Sequence, residues 1–133
     1  MAHVGALNAS GNTIAVIGCG LDIVYPQENR GLYNEIFNRG LILSEFIVGT
    51  RPFPNNFPMR NRIISALSDG VVVVQARRKS GAMSTVDFAI EYGKDVYAVP
   101  GNIDNYLSEG CNLLIQDGAK IVTNYKDILE DLL

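Results

Sequence analysis

The sequence predicts an α/β domain: a doubly wound, mostly parallel sheet of about five strands, with helices on both faces. Three observations carry this. Short apolar, β-branched runs alternate with helix-patterned stretches five times along the chain. The run Gly70–Ala76 (GVVVVQA), four valines in succession, is the strongest strand signal in the chain. A length of 133 residues with 47% hydrophobic and 19% charged residues fits one domain, residues 1–133, with a real core.

Taken in order, Met1–Ser10 reads as the tail of a helix, with Val4 and Leu7 three apart. Thr13–Gly18 is a β-branched strand ending in glycine. Gly18-Cys19-Gly20 then turns the chain. Glu28–Arg39 is helical, with Leu32, Ile36 and Phe37 on its inner side, and stops at Gly40. Leu41–Ser44 is a short strand. An irregular stretch from Gly49 to Pro58 follows, and Pro58 suits the first turn of a helix over Met59–Leu67, whose inner side carries Ile63, Ile64 and Leu67. After the strand Gly70–Ala76 come a helix at Ser84–Tyr92, a strand at Asp95–Val99, a turn at Pro100-Gly101, a helix at Ser108–Gln116, a strand at Lys120–Val122 and a closing helix at Tyr125–Leu133. There is no internal repeat, low-complexity segment or linker.

Composition excludes several classes. No apolar run reaches the roughly 18 residues of a membrane span, and no basic-then-apolar leader opens the chain, so a cytoplasmic protein without a membrane partner is expected. The two cysteines, Cys19 and Cys111, are far apart and form no CxxC; with His3 the only histidine, neither a disulfide framework nor a structural zinc site is expected. The net charge is −3, but it is unevenly spread: six of the eleven basic residues lie between Arg51 and Lys79, opposed only by Asp69. An acidic body with one basic patch suits a local polyanion site, and equally a solvated basic surface.

In open α/β sheets ligands bind beyond the carboxyl ends of the strands. Four loops belong there: Gly18–Pro26, Glu45–Pro58, Arg77–Ser84 and Pro100–Ser108. The segment Arg51-Pro-Phe-Pro-Asn-Asn-Phe-Pro-Met-Arg-Asn-Arg62 is the most informative. Its prolines hold the backbone extended and reduce the entropy lost on binding. Phe53 and Phe57 offer faces for unpaired bases, Arg51, Arg60 and Arg62 offer bidentate phosphate contacts, and Asn55, Asn56 and Asn61 offer hydrogen bonds to base edges or sugar. The same residue types would equally make a structural loop with buried phenylalanines and arginines capping carbonyls; one of the two phenylalanines is expected in the core under either reading. Lys79-Ser80-Gly81, between a strand and a helix, suits a second anion cradle, to which Gly101 and Asn102 would add backbone donors; Pro100-Gly101-Asn102 reads equally as an ordinary tight turn. It lacks the GK[ST] ending of a P-loop, and Gly18-Cys19-Gly20 does not continue as GxGxxG, so no nucleotide cofactor is expected. No nucleophile has a base beside it in sequence, His3 reads as a surface residue, and no catalytic residue is assigned.

Seven ordered blocks carry a resemblance: AHVGAL at Ala2–Leu7, TIAVIGCGLDIVYPQEN at Thr13–Asn29, LILSE at Leu41–Glu45, FPMRNRIISALS at Phe57–Ser68, VVVVQARRKSGAMST at Val71–Thr85, YAVPGNI at Tyr97–Ile103 and GCNLLIQDGA at Gly110–Ala119. Together they resemble the DprA/Smf family of DNA-processing proteins. The FPxRNR block is the most specific, and the similarity covers essentially the whole chain.

The resemblance implies a Rossmann-like domain that binds single-stranded DNA, forms a homodimer and helps load the RecA recombinase in transformation or recombination. It puts Arg51, Phe57, Arg60, Asn61 and Arg62 in the DNA-binding loop and Ser80-Gly81 in the neighbouring one. It puts the dimer surface on parts of Asn105–Gln116 and the last helix. Against the family's pattern, its opening strand–helix–strand unit is expected to be represented only by Ala2-His3, the helix after Ser80 carries Asp87 and Glu91, and no winged-helix-like domain is expected to follow. An exposed sheet edge and self-association are expected on that account. An enzyme of the related nucleotide N-glycosidase type would need a PGGxGT loop and a catalytic glutamate, and Lys79–Thr85 offers neither. The remaining alternative is a scaffold that only dimerises.

Overall fold

The computed structural model describes residues 1–133. The chain forms two compact units, Met1–Arg60 and Asn61–Leu133. All strand pairings are parallel, and the five strands lie in two small sheets.

In the first unit, helix α1 (Ala2–Asn8) precedes strand β1 (Ile14–Val16), helix α2 (Arg30–Arg39) and strand β2 (Leu41–Leu43). β1 pairs with β2 in register Ile14–Leu41 to Val16–Leu43, a β-α-β crossover. Leu7, Ala15 and Ile36 are buried together, with Leu32 and Ile42 packed against them. Each aliphatic side chain buried in this way contributes about 1.5–3 kcal/mol. The expected inner side of α2 is corrected at Phe37, which is 71% exposed: Ile36, its neighbour, points inward, and adjacent helical positions diverge by about 100°. His3 is half-buried rather than on the surface; its Nδ1 lies 2.7 Å from Thr13 Oγ1, which ties α1 to the start of β1. Arg39 adds a second tie, donating to the Leu7 carbonyl at 3.0 Å.

Helix α3 (Asn56–Leu67) carries the boundary between the units. It starts three residues before Met59, so Pro58 sits within its first turn, where a missing N–H costs nothing. Leu67, expected inside, is exposed.

The second unit is built from strand β3 (Gly70–Val73), helix α4 (Gly81–Glu91), strand β4 (Asp95–Ala98), helix α5 (Glu109–Gln116), strand β5 (Lys120–Ile121) and helix α6 (Lys126–Leu132), in strand order β3-β4-β5. One sheet face packs Val73 and Ala98 against Val86 of α4 and Cys111 and Leu114 of α5. Tyr97 alternates to the other face and is fully buried; beside it Lys120 reaches Asp131 of α6 at 2.8 Å. Helices thus pack on both faces, although Val72, which pairs with Tyr97 on the second face, is 40% exposed. α4 starts at Gly81 rather than Ser84, because Ser80 is extended (φ −108°, ψ 158°) and takes the N-cap position. No helix is long and apolar enough to cross a membrane.

Candidate nucleic-acid interface

Two of the ligand-side loops meet in each unit. In the first unit, β1 runs into Gly18-Cys19-Gly20, and the chain beyond β2 returns alongside it. The Gly20 N–H donates to the Thr50 carbonyl at 2.9 Å, and the Gly49 N–H donates to Asp22 Oδ1 at 2.8 Å. Ser44 Oγ donates to the Cys19 carbonyl at 2.7 Å. Asn56 locks the arrangement from beneath: its buried Nδ2 donates to the Gly18 carbonyl at 2.9 Å and to the Arg51 carbonyl at 3.0 Å. Its amide faces inward, so it shapes the loop that carries Arg51 instead of meeting solvent.

Phe57 is half-buried and lies against Gly18, where a Cβ would sit 3.1 Å from the ring. A side chain at position 18 would therefore require the Phe57 ring to give by a few tenths of an ångström. Tyr25 packs on Phe57 with ring centroids 5.8 Å apart and planes at 42°, and is itself 58% exposed. Phe53, also 58% exposed, offers a second open face. Arg51 is exposed. Arg60 has a different position. Its guanidinium lies 5.6 Å from the Phe57 centroid, and Nη1 donates to the Val16 carbonyl at 2.6 Å. Burial lowers its pKa, partly offset by Cys19. Arg60 therefore caps a strand-end carbonyl and backs the aromatic pair. Burial, with Asp22 beside it, pushes the Cys19 thiol up, which keeps it in the unreactive form.

In the second unit, Asn61 is buried and donates Nδ2 to Ser84 Oγ at 2.8 Å and to the Gly81 carbonyl at 3.2 Å, so it holds the start of α4. Arg62 is exposed on α3. Lys79 and Gly81 are exposed, and Ser80 is half-buried, with its Oγ enclosed and without a hydrogen-bond partner. No side chain caps the first turn of α4; the Met83 N–H is taken by the Ser80 carbonyl at 3.0 Å, which leaves the Gly81 and Ala82 amides and the helix dipole directed at the Lys79–Gly81 turn. Gly101 and Asn102 are exposed on the loop after β4. Asn112 clamps Gly101 at both backbone groups, accepting from its N–H and donating to its carbonyl, each at 3.1 Å. A Cβ at Gly101 would run into the Ser108 side chain, so only glycine fits.

Sequence reasoning missed two contributors. Tyr25 could have been found as an aromatic on the ligand-side loop Gly18–Pro26. Asn112 lies on a helix and gave no signal, because its role depends on a loop eleven residues away.

The chain matches, over residues 1–133, the model of a family described as DNA recombination-mediator protein A. It belongs to that family. It is 49% identical over 130 residues to the DNA processing protein DprA of Streptococcus pneumoniae, covering 98% of this chain and 46% of that protein. It is 44% identical over 133 residues to the protein Smf of Escherichia coli, covering 99% of this chain and 36% of that protein. The chain thus spans less than half the length of these relatives. Among solved structures, that of the S. pneumoniae protein superposes with a TM-score of 0.91 at 47% identity, over 97% of this chain and 46% of that one. The DNA processing protein A of Helicobacter pylori, described for its single-stranded DNA binding mode, superposes with a TM-score of 0.83 at 37% identity, over 90% of this chain and 55% of that one. The match to this family carries the Rossmann-like α/β reading of the sequence.

Proposed function

We propose that this chain is a single-stranded DNA-binding module, and that it binds rather than transforms its ligand. The observation that carries the reading is the first unit's loop surface. Exposed Arg51, Phe53 and Tyr25 stand on backbone pinned from beneath by Asn56 and Phe57. Open aromatic faces beside a planar cation suit unpaired bases on a phosphate chain, with stacking worth about 1–3 kcal/mol per base. In the second unit, the uncapped start of α4 beside Lys79, Ser80 and Gly81, with Gly101 and Asn102 on the next loop, suits a phosphate. The H. pylori relative's described binding mode supports the same ligand.

Within a longer protein, such a module would act in the cytoplasm, shield single strands during recombination or transformation and present them to RecA. Self-association through Asn105–Gln116 and α6 would multiply the DNA contacts. The test is fluorescence anisotropy of labelled oligo-dT at low salt. Binding is expected, and Arg51→Ala with Arg62→Ala weakens it by an order of magnitude or more. No anisotropy change with unmodified protein would sink the proposal.

A further inference from the structure

One exposed cluster lies outside every residue assigned so far. Arg77 follows β3 and Tyr106 follows β4, both at the carboxyl end of the second unit's sheet. The Arg77 Cζ lies 4.9 Å from the Tyr106 centroid, a guanidinium stacked on an aromatic ring. Both residues are exposed, Tyr106 at 61%, and Ile103 on the same loop is 90% exposed. The ring, the guanidinium and the aliphatic side chain are thus all open to a ligand.

The backbone under the pair is held firmly. The Gly110 N–H at the start of α5 donates to the Ala76 carbonyl at 2.8 Å, which anchors the residue before Arg77. The loop bearing Tyr106 is braced by its own side chains. Asn102 Oδ1 accepts from the Asp104 N–H at 3.1 Å, Asn105 Oδ1 accepts from the Leu107 N–H at 3.0 Å, and Asn112 clamps Gly101. A rigid loop lets a side chain bind without a large ordering cost.

We infer that Arg77 and Tyr106 form a stacking platform for one nucleobase of a single strand, with Ile103 against the base edge or sugar. This rests on the single-strand reading above. The chemistry favours a base over a protein side chain on two grounds. The guanidinium and ring present flat faces, and Arg78 and Lys79 follow Arg77 directly, so two further cations adjoin the platform against the one carboxylate of its own loop, Asp104. A strand whose phosphates meet those cations brings its bases to the ring.

The test compares oligo-dT with an abasic oligonucleotide of equal length, titrated against the unmodified chain, Tyr106→Ala, Tyr106→Phe and Arg77→Lys, with circular dichroism as the check on folding. Tyr106→Ala is expected to weaken oligo-dT binding about tenfold, equivalent to ~1.4 kcal/mol, and to leave abasic binding within twofold. Tyr106→Phe keeps the platform and binds as the unmodified chain. Arg77→Lys keeps the charge but loses the plane, so it weakens oligo-dT binding several-fold and spares the abasic strand. Because the chain has no tryptophan, Tyr106→Trp adds a direct readout, with emission quenched by oligo-dT and not by the abasic strand. If Tyr106→Ala and Arg77→Lys bind oligo-dT as the unmodified chain does, the platform is overturned while single-strand binding stands. Equal losses on both oligonucleotides also overturn it, since they assign the pair to phosphate contact or loop shape. If the unmodified chain binds neither oligonucleotide, the single-strand reading fails and takes this inference with it.

Discussion

Replacing Arg60 by alanine tests whether this arginine is part of the scaffold or only part of the ligand surface. Its Nη1 donates to the Val16 carbonyl at 2.6 Å, a hydrogen bond from a charged donor worth about 1.5–3 kcal/mol. Its guanidinium lies 5.6 Å from the Phe57 centroid, a contact worth about 0.5–1 kcal/mol where solvent still reaches it. Against these stands the desolvation of a half-buried cation, which truncation relieves. The balance is a loss of about 2 kcal/mol, or roughly 6–10 °C in Tm for a chain of this size. Arg51 is the control: it is exposed, and Arg51→Ala is expected to shift stability by no more than ~0.5 kcal/mol. Urea unfolding followed by circular dichroism, with thermal melts alongside, measures both variants. If Arg60→Ala unfolds together with Arg51→Ala, the carbonyl cap contributes nothing and the assignment of Arg60 to the scaffold is wrong. The comparison also bears on DNA binding, because affinity lost in Arg60→Ala reports loop collapse as well as lost charge.

Three further outcomes are expected. Asn61→Ala removes a buried amide that serves Ser84 and Gly81 and lowers stability by about 1–2 kcal/mol in the same urea assay, whereas Asn55→Ala, at an exposed position, changes little. Gly101→Ala forces a Cβ into Ser108 and destabilises by about 1–3 kcal/mol; Gly101→Ala combined with Ser108→Gly recovers much of that, and an unrecovered double variant would place the strain elsewhere. Asp127 accepts from the Thr123 and Asn124 backbone amides and from the Thr123 hydroxyl, which hold its carboxyl below the usual range. A folded pKa lowered in this way stabilises the chain at higher pH, and the contribution is lost as pH falls from about 4 through the folded value. Thermal melts across acidic pH should show Asp127→Asn with a shallower decline than the unmodified chain, and parallel curves would contradict the stabilisation of the Asp127 carboxylate by these hydrogen bonds.

The order and type of the strands and helices were legible because each element carries its own local signal: β-branched runs for strands and 3.6-residue periodicity for helices. Helix starts were less so. The start of α4 at Gly81 depends on an extended Ser80, which a Ser-Gly pair in a loop does not announce. Phe37 sat next to inward-facing Ile36 in a window too short to separate adjacent helical positions, while Leu67 lies in the last turn of α3 beside exposed Ala66. At the site, Arg51 and Phe53 were open to two readings, ligand contact or a buried structural loop, and both are exposed. Arg60 was open to two readings, phosphate contact or carbonyl cap. The carbonyl it serves belongs to Val16, forty-four residues away, so nothing local could decide. Asn56 and Asn61 pose the same problem: a buried asparagine that holds two loops and an exposed one that reads a base look alike in sequence.

The central claim is that this chain holds a single strand by open aromatic faces and cations. The most direct measurement is oligo-dT affinity as a function of salt, set beside a duplex of equal length. The account predicts that log K falls linearly with log salt at a slope of about −2 to −4, as expected when three to five phosphates are neutralised on a single strand. It also predicts that the single strand is preferred over the duplex at every salt concentration, because stacking requires unpaired bases. Equal affinity for duplex and single strand, or binding that does not respond to salt, would contradict it.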